Sequence, residues 1–346
     1  LTEFEMEKQK IFGGTLSGDV LTIKDGKITY NPDSQWSKVE VEVYAPGVWN
    51  DYDVIYFTAS GTEYAVIKTE QGAFAVVKAL LDLCDSYTLN GETLVVGLAF
   101  NADGPAITVT CGDATVTDIN FGSANLPYDS ETYITFAVDG EKYFLVPNVL
   151  DPNGGNIVAD EDTFNLCGRI SLISDSFSQL RVYIGKDAEG NATLIYKVEN
   201  SYDGVNVVVE LTPVEGKPNV YSLTYEMNGE TYTDYVGVVR GTVSGDGLLA
   251  IRPEQVPYIG SFTLADGKTL VISVDKLTES DGDVVAALLA SYNGVDVGEA
   301  KWDTTANTLS FSYTEGETAY TCYAVLNGET MTVTMLDAAQ NAFIGN

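Results

Sequence analysis

The segment APGVWNDYDVIY, residues 45–56, places Trp49 and Tyr52 either side of Asn50 and Asp51, with Asp53 next in line. Sugar rings stack on exposed aromatic faces, and their hydroxyls bond to Asp and Asn side chains. An exposed Trp also anchors a protein partner well. These five residues are therefore the first candidate site, for a glycan or a protein surface. The plainer alternative folds Trp49 back as a cap on the core. Trp36 and Trp302 stand beside alternating strand residues and read as core.

A second candidate lies in DPNGGNIVADEDTF, residues 151–164. Asp151, Asn153, Asn156, Asp160 and Asp162 offer hard oxygens at mostly alternating positions, the donor type that Ca²⁺ takes. The spacing is not that of an EF-hand, because Asn156 stands where Gly should follow. Ca²⁺ is the one cofactor these residues suggest, and a solvated acidic linker is the plainer reading. The Asp187, Glu189, Asn191 turn reads as a hairpin tip.

Other chemistries are narrowed by what the chain contains. It has no His, which excludes Ser-His-Asp, Cys-His and His-zinc sites from this chain acting alone. Cys84, Cys111, Cys167 and Cys322 show no CxxC spacing and read as buried, mostly free thiols. Two carboxylates at a set separation can hydrolyse a glycosidic bond. Nothing among 50 Asp and Glu singles out such a pair, so the chain reads as no enzyme. Asn-Gly-Glu recurs at 90–92, 228–230 and 327–329, and turn chemistry accounts for it.

Charge narrows the partners. Eighteen Lys and Arg face 50 Asp and Glu, a formal net charge of −32. Polyanions are repelled, which argues against nucleic acid and anionic lipid surfaces. No apolar run is long enough to cross a membrane as a helix, so no membrane insertion is expected. The opening LTEFEMEKQK has neither an initiator Met nor an apolar signal core, and reads as the start of a mature or excised chain.

The elements that must position these residues repeat. TLSGDVLTIK (15–24), TLNGETLVVG (88–97) and TLADGKTLVI (263–272) are versions of one hairpin. A closing block recurs as TYITFAVDGEKYFLV (132–146), TYTDYVGVVRGTVSG (231–245) and AYTCYAVLNGETMTV (319–333). Alternating apolar residues around Asn-Gly and Asp-Gly turns predict antiparallel hairpins. The expected fold is all-β, in tandem small antiparallel β-barrel or β-sandwich modules. The boundaries are an N-terminal lead at 1–10, modules at 11–82 and 84–150, an acidic linker at 151–164, and modules at 165–256 and 257–346. Two apolar runs allow helix: in 72–84 a helix would begin near Lys78, after a strand, whereas 283–292 reads as a strand. Phe343-Ile344-Gly345 echoes Tyr258-Ile259-Gly260, either as a strand that closes each module or, the preferred reading, as the start of a further repeat in a longer array.

The cycle of aromatic-x-Gly, Thr-Leu-x-Asp-Gly-x-x-Leu, Asn-x-Leu-x-Phe and a terminal Asn-Gly hairpin resembles β-repeats of large secreted or wall-attached proteins of gut Gram-positive bacteria. The likeness is clearest over 257–346, fair over 84–150 and 11–77, and poor over 165–218. It implies lipocalin-like or sandwich modules, an extracellular or cell-surface location, and a non-catalytic adhesive, spacer or binding role toward a glycan or a host or surface protein. A second implication is a set of carbohydrate-binding modules ancillary to a glycan-degrading enzyme. The resemblance supplies no catalytic residues to transfer.

Overall fold

The computed structural model describes residues 6–13, 20–25, 27–30, 39–41, 45–124, 131–240, 247–278, 284–303 and 305–345. Trp36 lies outside the described residues. The chain is all-β. Among the described residues it forms seven antiparallel sheets, each a simple meander in chain order, with two short α-helices. Thr, Val and Tyr favour such pleated, half-buried surfaces. Two-residue turns with positive φ at both positions join many of the strands, as at Asn90-Gly91, Asn228-Gly229 and Asn293-Gly294.

Contacts divide the chain into two compact units. The first comprises 1–164 with 184–193, and the second 165–183 with 194–346. In the first unit, a sheet of Met6–Lys10, Val20–Lys24, Lys27–Tyr30 and Val39–Val41 faces one of Ala45–Trp49, Tyr52–Ala59, Thr62–Thr69 and Gly72–Val77. Leu21, Ile23 and Ile28 meet Ile55, Phe57 and Val66 between them. A three-stranded sheet (Ser86–Leu89, Glu92–Asn101, Gly104–Cys111) shares a further core with a four-stranded one (Val116–Ala124, Glu131–Val138, Glu141–Val146, Ile157–Asp160).

The helix Lys78–Leu83 begins where the sequence placed it, directly after the strand Gly72–Val77. Its six residues serve three cores. Ala79 packs against the first, Leu80 and Leu83 enter the second, and Leu81 enters a smaller cluster with Val54, Ala65, Ile67 and Val76. That third cluster underlies the first candidate site.

In the second unit, Leu180, Val182, Leu223 and Val236 lie in a core between the four-stranded sheets that begin at Gly168 and Thr212, while residues 184–193 of the former belong to the first unit. The strands from Gly260 to Gly345 form one eight-stranded meander, and its first strand returns against its seventh to make a nearly closed seven-strand barrel. Residues 284–292 are a strand, as the sequence indicated. The Phe343-Ile344-Gly345 echo pairs inside this meander, as the eighth strand. Leu270, Tyr292, Leu309, Phe311 and Val333 are among the side chains that fill the barrel, as expected for a small barrel. Trp302 packs edge-on to Tyr258 at 5.0 Å, against this core.

Candidate functional site

Side chains alternate along a strand. In Tyr52–Ala59, Ile55 and Phe57 enter one core, so Tyr52, Val54 and Tyr56 face the other. Asn50 and Asp51 form the two-residue turn, at φ 49° and 66°, and the register sets Trp49 opposite Tyr52. Their rings stack at 6.4 Å between centroids, inclined by 20°. Tyr52 meets the edge of Phe100 at 5.3 Å, and Phe100 stacks on Phe74 at 5.5 Å. Val54, Ile67 and Leu81 lie in the core beneath, and all four rings of the row are half-buried. Trp49 is thus rooted on the core and also open to solvent, combining the two alternatives left by the sequence.

The polar members divide. Asn50 and Asp51 are exposed at the turn beside the rings. Asp53 pairs with Val48, on the face opposite Tyr52, so the structure does not bring it to the aromatic row. Phe74 and Phe100 come from two other hairpins, and nothing local in the sequence marks them as neighbours of Trp49. Backbone approach also matters here: a Cβ on Gly47 would lie 2.8 Å from the Tyr56 ring. The bare glycine lets that ring lie flat over its strand.

The acidic segment is structured differently from the loop expected. Pro152–Gly154 makes one 3-10 turn, Ile157–Asp160 adds a fourth strand beside Glu141–Val146, and Glu161–Asn165 is a short helix. Asp160 Oδ1 accepts the Thr163 amide at 2.7 Å, capping that helix. Phe164 stacks on Phe144 at 3.8 Å, which explains why the segment orders. The Asn156 amide donates to the Asp82 carbonyl at 2.7 Å and to the Tyr87 hydroxyl at 3.0 Å. Asp151 and Asn153 sit at the 3-10 turn and Asp162 in the helix's first turn. Among the described residues, no three Cys, Asp or Glu side chains gather as a cation site.

Asn156 and Asp160 instead line an open cleft of about 730 Å³, with Tyr87, Asn90, Tyr143 and Lys186 among its other walls. Tyr87 donates to the Leu83 carbonyl at 2.7 Å, and burial pushes its phenol up to about 12. Tyr143 donates to Glu141 at 3.0 Å and accepts from Asn90 at 3.2 Å, and burial raises its pKa also. Lys186 Nζ donates to the Gly154 carbonyl at 2.6 Å. Both phenols therefore stay neutral donors at pH 7, in a wall of mixed donors and acceptors suited to hydroxyl groups. Turn chemistry accounts for only part of what Asn90 does. Its positive φ serves the turn, but its amide reaches across 53 positions to Tyr143.

No protein-family model and no curated protein matches the chain. Among solved structures, it is similar over 99% of its length to 45% of a chain described as the crystal structure of the tricorn protease, at 10% identity and a TM-score of 0.12. A likeness that low carries no argument about fold or function.

Proposed function

We propose that this chain is a non-catalytic, extracellular or cell-surface binding protein that holds a glycan on the aromatic row of Trp49, Tyr52, Phe100 and Phe74. The observation that carries the reading is the Trp49–Tyr52 stack, half-open to solvent and continued by Phe100. The near-parallel Trp49 and Tyr52 rings suit the C–H face of a sugar ring, with Phe100 and Phe74 as their footing. Exposed Asn50 and Asp51 at one end supply hydrogen-bonding groups for hydroxyls. The tyrosine-walled cleft in the same unit offers further neutral polar contacts.

The lack of His and the spread of carboxylates support a binding role over catalysis. The division into four modules, 11–82, 84–150, 165–256 and 257–346, belongs to this proposal, and so does a bacterial surface setting with an adhesive or spacer role. A carbohydrate-binding array ancillary to a glycan-degrading enzyme is the second reading, and the same aromatic row favours it. The test is a glycan array with wild type and Trp49→Ala. The expected result is a set of wild-type signals that Trp49→Ala weakens about tenfold, the worth of one aromatic stack. Equal binding by both proteins would remove Trp49 from any site.

A further inference from the structure

The second unit exposes large apolar side chains on two neighbouring loops. Ile173 is 43% exposed, Phe177 54% and Tyr202 84%. Isolated exposed apolar residues are ordinary on protein surfaces. These are different, because Phe177 and Tyr202 lie 5.6 Å apart, inclined by 47°, and their backbones are fixed from below.

The fixing is a buried polar network. Asn200, 7% exposed, donates to Asp175 Oδ2 at 3.0 Å, and its Oδ1 accepts the Tyr202 and Asp203 amides at 2.9 and 3.2 Å. One side chain so ties the loop 172–178 to the loop 200–205. Asp175 also accepts the Phe177 amide at 3.0 Å and the hydroxyl of fully buried Ser178 at 2.8 Å. Ser201 donates twice to the Phe177 carbonyl, from its amide at 2.9 Å and its hydroxyl at 3.1 Å. Asp234, 2% exposed, accepts the Ile173 and Ser174 amides at 3.1 and 3.0 Å, the Tyr225 hydroxyl at 3.0 Å and the Ser174 hydroxyl. Buried networks of this kind hold one geometry when every member is satisfied. Here the geometry held is that of two aromatic rings in water.

We propose that Phe177 and Tyr202 are a second, preorganised glycan platform, for a neutral polysaccharide chain. Three observations choose that occupant. The loops 172–178 and 200–205, and the hairpin tip 226–231 whose Asn228 bonds Asp203, contain no Lys or Arg but four acidic residues. Anionic ligands are therefore disfavoured. Of these four, Asp175 is taken up by the donors named above, Asp203 by Asn228 and the Val205 amide, and Glu230 by the Tyr232 hydroxyl, which leaves Glu226 alone. They are not poised for a cationic peptide. Two rings and an Ile also fall well short of the roughly 800 Å² per partner that a stable protein interface buries. Two exposed rings 5.6 Å apart offer the small apolar surface that the C–H face of a sugar ring needs. This site shares its ligand class with the Trp49 row but none of its residues.

The test is affinity electrophoresis of the full chain through gels holding mixed-linkage β-glucan, xylan, galactomannan or starch. Polygalacturonate serves as the anionic arm, and titration with a polylysine peptide as the cationic arm. In a Trp49→Ala background, at least one neutral polysaccharide should still retard the protein, and Phe177→Ala or Tyr202→Ala should weaken that binding about tenfold. Melting should be unchanged, since both rings are solvent-exposed. Asn200→Asp, which opposes a carboxylate to Asp175, keeps both ring residues but releases the loops that hold them, and should weaken binding and lower the melting temperature together. If Trp49→Ala alone abolishes retardation, or Tyr202→Ala leaves it intact, the second platform is lost and the Trp49 row stands. If Trp49→Ala is silent and Tyr202→Ala is not, the second platform stands and the first falls. A wild-type protein that no neutral polysaccharide retards sinks both. Polylysine binding that Tyr202→Ala removes, with glycan binding untouched, would replace the proposal with a cationic-peptide site.

Discussion

With no His in the chain, its four thiols are the most nucleophilic side chains it has. The fold disfavours their thiolate forms. Burial pushes Cys84 and Cys167 up to about 12 and Cys322 to about 11, and raises Cys111 as well. Below about pH 7.5 a thiol is protonated whether the chain is folded or unfolded, so its full contribution to stability is present. Above that pH the unfolded chain loses protons that the folded chain keeps, and stability falls as pH climbs toward 11 to 12. Two outcomes are expected. Native protein at pH 8 should be alkylated by iodoacetamide far more slowly than denatured protein. The melting temperature should drop between pH 9 and 11, with a smaller drop in a Cys84→Ala/Cys167→Ala variant. Equal labelling of native and denatured protein would contradict the burial. At this scale the sequence was partly legible. Trp49 and Tyr52 could be picked out because type and spacing are local properties. Phe74, Phe100, Phe177 and Tyr202 could not, because their neighbours are set by loops and hairpins far apart in the chain. The partners of Asn156, the Asp82 carbonyl and Tyr87, are illegible for the same reason, since they lie about seventy positions away.

Hairpins are the elements that carry the exposed chemistry, and turn geometry decides how firmly. The Asn50-Asp51 turn needs positive φ at both positions, and Asp51 holds φ 66° without being Gly. Asp51→Gly should therefore keep the hairpin and raise stability by up to about 1 kcal/mol, whereas β-branched Asp51→Val should cost about 1–2 kcal/mol. Denaturant midpoints measure both. Glycan binding retained in Asp51→Gly would assign Asp51 to the turn. Binding lost in that variant, with stability intact, would assign its carboxylate to the ligand. Elements with strong local signals were readable: the helix start at Lys78 and the strand 284–292 follow from apolar runs broken at the right places. The strand Ile157–Asp160 was hidden inside a Pro-, Gly- and Asp-rich stretch. Four residues carry little period of their own. Pairing with Glu141–Val146 and the docking of Phe164 on Phe144 decide its state.

For the whole molecule the dominant fact is charge. Even if every Lys and Arg were paired, the surplus of carboxylates is 32. The Lys142–Glu161 pair at 3.0 Å is exposed and the Lys78–Asp82 pair at 3.0 Å partly so, and pairs of that kind add little. Self-repulsion therefore opposes the folded state at neutral pH and keeps polyanions away. Raising NaCl from about 10 to about 150 mM shortens the screening length from about 30 to about 8 Å. The melting temperature at pH 7 should rise over that range, by about 2–4 °C for each kcal/mol of repulsion relieved. A flat or falling curve would mean that the surplus carboxylates lie too far apart to matter. The same experiment weighs the acidic segment. Asn156 and Asp160 spend their side chains on Asp82, Tyr87 and Thr163, so the donors of 151–162 are not gathered for one ion. CaCl₂ and MgCl₂ at equal ionic strength should then raise the melting temperature equally, as diffuse counterions. Native-state binding of one ion would add a concentration-dependent increment for that ion alone. A Ca²⁺-specific increment lost in Asp160→Asn would restore a cation site to this segment and displace the reading of its oxygens as cap and cleft wall.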